Sequence, residues 1–144
     1  SVAGGIPIVK AIKESFSGNK INSVMGIING TANYILTRLK KDKIELREAL
    51  KDAQDLGYAE ADPAFDIEGV DTAHKLSILM TLAFGVRAKL EDIYVEGITK
   101  LTIDDILFAD QLGYVIKLLA IAKEQDGRIE ARVHSTPWQC YPYF

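Results

Sequence analysis

Leu56-Gly-Tyr-Ala-Glu-Ala-Asp-Pro-Ala-Phe-Asp-Ile-Glu-Gly-Val-Asp-Thr-Ala-His-Lys-Leu76 changes character half-way along. From Gly57 to Gly69 it is acidic and interrupted by Pro63, which predicts a loop and not a core element. From about Val70 to Phe84 the apolar residues Ala73, Leu76, Leu79, Met80 and Ala83 recur at helical spacing, with Gly85 as the stop, so a strongly apolar helix is expected there. Upstream, Leu46, Ala49, Leu50, Ala53 and Leu56 form the stripe of another helix that Gly57 ends. Further upstream, the β-branched run Ile21–Ile28 predicts a strand. Asn29-Gly30 predicts the bend after it, and Thr31 the cap of a helix over Thr31–Leu39. Ile8, Val9, Ile12 and Phe16 predict a short helix with Gly18 at its C-cap, preceded by a Ser1–Pro7 loop that holds at least one left-handed residue. Downstream, Asp104–Leu112 reads as a helix, and Tyr114–Ala122 and Arg128–His134 as two strands of a hairpin turned at Asp126-Gly127. Helices and strands mix without strict alternation, so the fold class is α+β.

The 144 residues carry 17 Lys+Arg and 20 Asp+Glu, a formal charge of −3. That balance argues against a nucleic-acid partner, which calls for a basic surplus or a basic face. A composition 48% hydrophobic and 26% charged suits one soluble globular domain. No run approaches the roughly 20 apolar residues that cross a bilayer, so no membrane partner is expected. The single cysteine, Cys140, excludes an intrachain disulfide and fits a cytoplasmic setting. The chain opens on Ser1 without an initiator Met or a signal peptide, and we expect it to be cut from within a longer protein.

No phosphate loop is present, and Gly4-Gly5 lacks the rest of a dinucleotide fingerprint. His74 and His134 are expected to be structural or solvent-exposed, and Cys140 has no basic neighbour to activate it. Chemistry concentrates instead on Asp71 and Lys75. They stand about 40° apart around the helix axis and leave by the same face. A surface i, i+4 ion pair is one reading. The other is a lysine at the rim of a buried helix, surrounded by Glu60, Asp66 and Glu68, that gives or takes a proton.

Three motifs together, Ser1-Val-Ala-Gly-Gly-Ile-Pro7, Ile28-Asn-Gly-Thr-Ala-Asn-Tyr34 and Leu56–Leu76, resemble the catalytic domain of the homoserine dehydrogenase family over residues 1–136. The resemblance implies a mixed β-sheet with helices packed on one face. It implies reversible oxidation of L-homoserine to L-aspartate 4-semialdehyde with NAD or NADP, in the route to threonine, methionine and isoleucine. Lys75 matches the catalytic lysine that exchanges a proton with the substrate C4 oxygen. An arginine, which stays protonated, could not relay that proton. Glu60, Asp66 and Asp71 match acids that bind the substrate; Gly30, Thr31 and Tyr58 match positions lining its pocket, and Gly57 one that contacts the cofactor. Val2, Gly4 and Ile6 match backbone carbonyls that hold a sodium-like cation, a hard ion that takes oxygen ligands. The family's nucleotide-binding half would precede Ser1, and its domain would continue past Thr136, where Pro137–Phe144 is an aromatic tail that does not align with it. A homodimer paired through the sheet is implied. The alternative is a non-enzymatic dimerisation or interaction module with the same fold, and the isolated segment is expected to be inactive as an enzyme.

Overall fold

In the computed structural model, residues 2–139 are described. The chain starts with a loop in which Ala3 and Gly4 are both left-handed, at φ 60° and 52°, as the glycine-rich opening predicts. Helix α1 (Ile8–Lys10) runs directly into a π-helical stretch, Ala11–Ser15. That stretch ends on Phe16, with Gly18 left in the turn beyond and not at the cap. Strand β1 spans Ser23–Gly26, shorter than the apolar run around it. Helix α2 follows over Gly30–Asp42, and α3 over Leu46–Asp55.

The acidic segment after α3 contains a helical turn, α4 (Ala64–Ile67), that the composition did not predict. Pro63 is the residue that starts it. Its fixed φ suits the beginning of a helix, where the missing N–H costs nothing. Helix α5 occupies Val70–Phe84, the limits read from the sequence, with Thr72, Ala73, Leu76, Leu79 and Met80 buried. Strand β2 (Tyr94–Val95), helix α6 (Ile103–Gln111) and the long hairpin of β3 (Tyr114–Gln125) and β4 (Arg128–Gln139) complete the fold. Asp126 and Gly127 are both left-handed, φ 53° and 76°. This is the two-residue turn whose twist matches paired strands. Strand β4 continues through Gln139, three residues beyond the expected domain limit at Thr136, and Trp138 pairs with Val115. The remainder of the aromatic tail and Cys140 lie outside the described residues.

The sheet has the order β1-β3-β4-β2, antiparallel except between β2 and β4, and is therefore mixed. Ile116, Leu118, Ala120 and Ala122 of β3 alternate onto one face and join Ile35, Leu36 and Leu39 of α2, Leu76 and Met80 of α5 and Ile106 of α6 in one core. Lys117, Leu119, Ile121 and Lys123 take the other face. No helix among the described residues is long and apolar enough to cross a membrane.

Two glycines set how the acidic segment lies on this core. Gly69, at φ +84°, starts α5 so close to the sheet that an added Cβ would meet the Val133 and Val95 methyls at 3.2 and 3.3 Å. Gly97 lies beneath the α4–α5 junction. A Cβ there would fall 2.1 Å from the Ile67 carbonyl oxygen and 2.5 Å from Glu68 Cα, and the neighbouring Ile98 N–H donates to that same carbonyl at 2.7 Å.

Candidate active site

The side chain that organises the site is Asn29. It sits in extended backbone at the N-cap of α2, and its Oδ1 accepts from the Ala32 N–H at 2.7 Å. It meets the free donors of the helix start, the role expected of Thr31. Both residue types cap well, so local preference could not choose between them. Asn29 is 3% exposed. Its Nδ2 donates to Asp66 Oδ1 at 2.7 Å and to Asp71 Oδ2 at 2.9 Å. Lys75 Nζ donates to the same Asp71 oxygen at 2.5 Å. Lys75 and Asp71 keep 20% and 23% of their side-chain surface, so the pair is open to solvent on one side only. A free surface pair of this spacing would contribute a few tenths of a kcal/mol. Here one partner is also bonded to a buried amide, which makes the pair part of a fixed array.

Thr31 has a different task. Its hydroxyl donates to the Tyr58 carbonyl at 2.8 Å, and the Tyr58 ring lies against Tyr34 with centroids 4.9 Å apart. The start of α2 is thereby joined to the segment after α3, bringing Gly30, Thr31, Gly57 and Tyr58 into one neighbourhood. Gln54 of α3 donates to the Glu60 and Ala61 carbonyls at 3.1 and 3.3 Å, bracing the same segment. Glu60 itself is exposed and takes no part in the bonds around Asn29. The expected gathering of acids therefore brings Asp66 and Asp71 together and leaves Glu60 at the margin. His74 is exposed and stacks on Phe65, centroids 5.4 Å apart. Val2, Gly4 and Ile6 belong to the N-terminal loop. Among the described residues no hydrogen bond links that loop to the cluster, and the Ile6 carbonyl accepts from the Ile8 N–H at 2.8 Å.

Asn29 and Gln54 were not singled out from sequence as site residues. Asn29 had a signal, since a polar residue before a helix is a capping candidate; its other bonds reach residues 37 and 42 positions away, beyond any local pattern.

The array combines a lysine donor, two carboxylates and a buried amide at the meeting of α2, α4 and α5. The family model described as homoserine dehydrogenase matches residues 7–139. The chain belongs to the homoserine dehydrogenase family. It is 58% identical over 134 residues to the homoserine dehydrogenase of Helicobacter pylori, an alignment that covers 93% of this chain and 32% of that protein. Among solved structures, a homoserine dehydrogenase from Thiobacillus denitrificans superposes with a TM-score of 0.91 at 53% identity, covering 94% of this chain and 32% of that one. A putative homoserine dehydrogenase from Archaeoglobus fulgidus gives 0.92 at 40% identity, covering 99% and 43%. The chain thus spans about a third of the length of the curated relatives it matches.

Proposed function

We propose that this chain is the substrate-binding and catalytic domain of a homoserine dehydrogenase, the part that holds L-homoserine or L-aspartate 4-semialdehyde and moves the proton at C4. The observation that carries the reading is the Lys75–Asp71 pair fixed by a buried amide in a chain of that family. Lys75 holds at Nζ the proton that the C4 oxygen takes on reduction and returns on oxidation. Its contact with Asp71 holds Nζ in place as the donor that offsets developing alkoxide charge. Asp66 and Asp71 each retain an acceptor oxygen, since a carboxylate offers more lone pairs than the bonds they make here. With Glu60 they form the acidic set for the substrate ammonium. The reading also assigns Gly30, Thr31 and Tyr58, joined by the Thr31–Tyr58 bond, to substrate contact.

NAD or NADP supplies, when bound, hydride transfer at C4. Gly57 suits contact with it: at φ +76° it is left-handed, with nothing within 4 Å of where a Cβ would be, so another molecule has room to approach its backbone. For a sodium-like cation, the left-handed curl at Ala3-Gly4 suits inward-turned carbonyls. Among the described residues no backbone N–H is bonded to the Val2 or Gly4 oxygens. The reading places the enzyme in the cytoplasm, in the route to threonine, methionine and isoleucine. Its test uses the complete protein that carries this chain. Reduction of NAD or NADP that depends on added L-homoserine is the expected result, and absence of turnover with either coenzyme overturns it.

The reading includes a homodimer through the sheet face turned away from the helices. Met25 and Tyr94, 52% and 61% exposed, lie on that face in register with Ile121 and Arg132, while Leu119 and Ile121 between them are already buried within the chain. Exposed apolar residues on a sheet whose other face is already covered point to a second sheet as cover. Met25→Asp is expected to shift the complete protein from dimer to monomer in size-exclusion light scattering. An unchanged mass sinks this interface.

A further inference from the structure

We propose that Asn29 is a positioning residue whose side-chain amide sets Asp66 and Asp71 in register with Lys75, an inference that rests on the functional reading above. The orientation of the amide is fixed by the backbone. Because the Ala32 N–H is bonded to Oδ1 at 2.7 Å, the nitrogen must be the end that faces the carboxylates. A flipped amide would aim its oxygen at two acceptors and leave the helix start uncapped. The amide therefore uses both of its N–H groups, one on Asp66 and one on Asp71. Those acids come from α4 and α5, so one buried side chain locks the start of α2 to both. Asp71 Oδ2 then receives Lys75 on its remaining side.

Capping accounts for only half of this residue. Asp and Ser cap a helix about as well as Asn, but neither offers two N–H donors at this reach. Nor do the acids need the amide for solvation, since Asp66 and Asp71 are only half-buried and water reaches them. The choice of Asn in preference to the other capping residues is explained by what it holds on its far side. Two like charges converge on one donor group, and their relative placement is what a substrate ammonium and Lys75 would read.

The test is made in the complete enzyme with Asn29→Ser and Asn29→Asp, which both keep the cap acceptor. Expected for Asn29→Ser are an unfolding midpoint near that of the wild type and an unchanged KM for the coenzyme; Asn29→Asp buries a third carboxylate against the other two, should melt lower, and is assayed at a temperature where it remains folded. The kcat/KM for homoserine should fall about 10²-fold for Asn29→Ser, the scale of an ångström-sized misplacement. It should fall further for Asn29→Asp, where a third carboxylate faces the other two. Combined with Asp71→Asn, the serine change should cost less than it does alone, because part of its effect passes through the Asp71 contact. A folded variant with wild-type kcat/KM, a loss that merely follows the unfolded fraction, or fully additive losses would overturn the assignment. Wild-type enzyme without homoserine-dependent turnover refutes the functional reading and this inference together, whereas active wild type with insensitive Asn29 variants refutes this inference alone.

Discussion

Lys75→Ala in the complete enzyme is expected to lower kcat by about 10²- to 10⁴-fold, the range that general acid–base catalysis contributes, while leaving the domain folded. The site explains both halves. Lys75 carries the ammonium of the array, bonded at Nζ to Asp71, and alanine removes it. The fold is spared because the side chain lies at the rim of α5, 20% exposed, while the buried stripe of Ala73, Leu76 and Met80 is untouched. The Asp71 carboxylate that loses its partner keeps the Asn29 amide and contact with water, so the stability cost stays within about 1 kcal/mol. Lys75→Arg sharpens the test: the charge and the ion pair to Asp71 survive, but a guanidinium holds its proton too tightly to pass it on. Steady-state kinetics with homoserine and coenzyme, alongside thermal unfolding, check all of these. Near-normal turnover in either variant removes Lys75 from the chemistry.

The parts of the fold that could be read directly from the residues are those where local chemistry and tertiary structure agree. Helix α5 has the limits its pattern predicts because glycines bracket an uninterrupted apolar stripe, and the hairpin turns where Asp126-Gly127 supplies two left-handed residues. Strand β1 is shorter than its apolar run because a strand lasts only as long as its partner: β1 pairs with β3 from Ser23 to Gly26, and Ile27 and Ile28 then lead into the cap of α2. Helix α4 is not expected from the composition because a proline inside a segment breaks a helix, whereas Pro63 stands at the helix start, where it promotes one. Propensity also stops short at α2. It runs past Leu39 to Asp42 and ends when Lys43 adopts a left-handed conformation, φ 55°, which nothing in its type announces.

The candidate site divides in the same way. The i, i+4 spacing puts Asp71 and Lys75 on one helical face, and the structure finds them paired. That Asp66 joins them while Glu60 stays exposed depends on how the segment between α3 and α5 is folded back. That folding is set by the Gln54 bonds, the Thr31–Tyr58 contact and a glycine far along the chain.

That glycine is Gly97, and Gly97→Ala is expected to destabilise the domain by about 3–5 kcal/mol, in the range reserved for severe backbone conflicts. The Cβ would sit 2.1 Å from the Ile67 oxygen, 2.5 Å from Glu68 Cα and 2.6 Å from the Glu68 carbonyl carbon. All three are backbone atoms, so no rotamer change relieves the clash, and α4–α5 must lift or the segment around Gly97 must move. Either shift breaks the Ile98 N–H to Ile67 carbonyl bond at 2.7 Å and strains the Ser135 hydroxyl bond to the Gly97 carbonyl at 3.3 Å. At roughly 2–4 °C per kcal/mol for a domain of this size, the melting midpoint should drop by about 10 °C. Gly18→Ala is the control, since nothing lies within 4 Å of its added Cβ and its φ is not left-handed. It should leave the midpoint unchanged or raise it slightly. The conflict also reaches the chemistry, because Ile67 directly follows Asp66, and lifting that backbone draws the carboxylate away from Asn29. Gly97→Ala should therefore lower kcat/KM for homoserine even at temperatures where the variant remains folded. A midpoint equal to that of the wild type would show that the α4–α5 junction is not held by this close backbone contact.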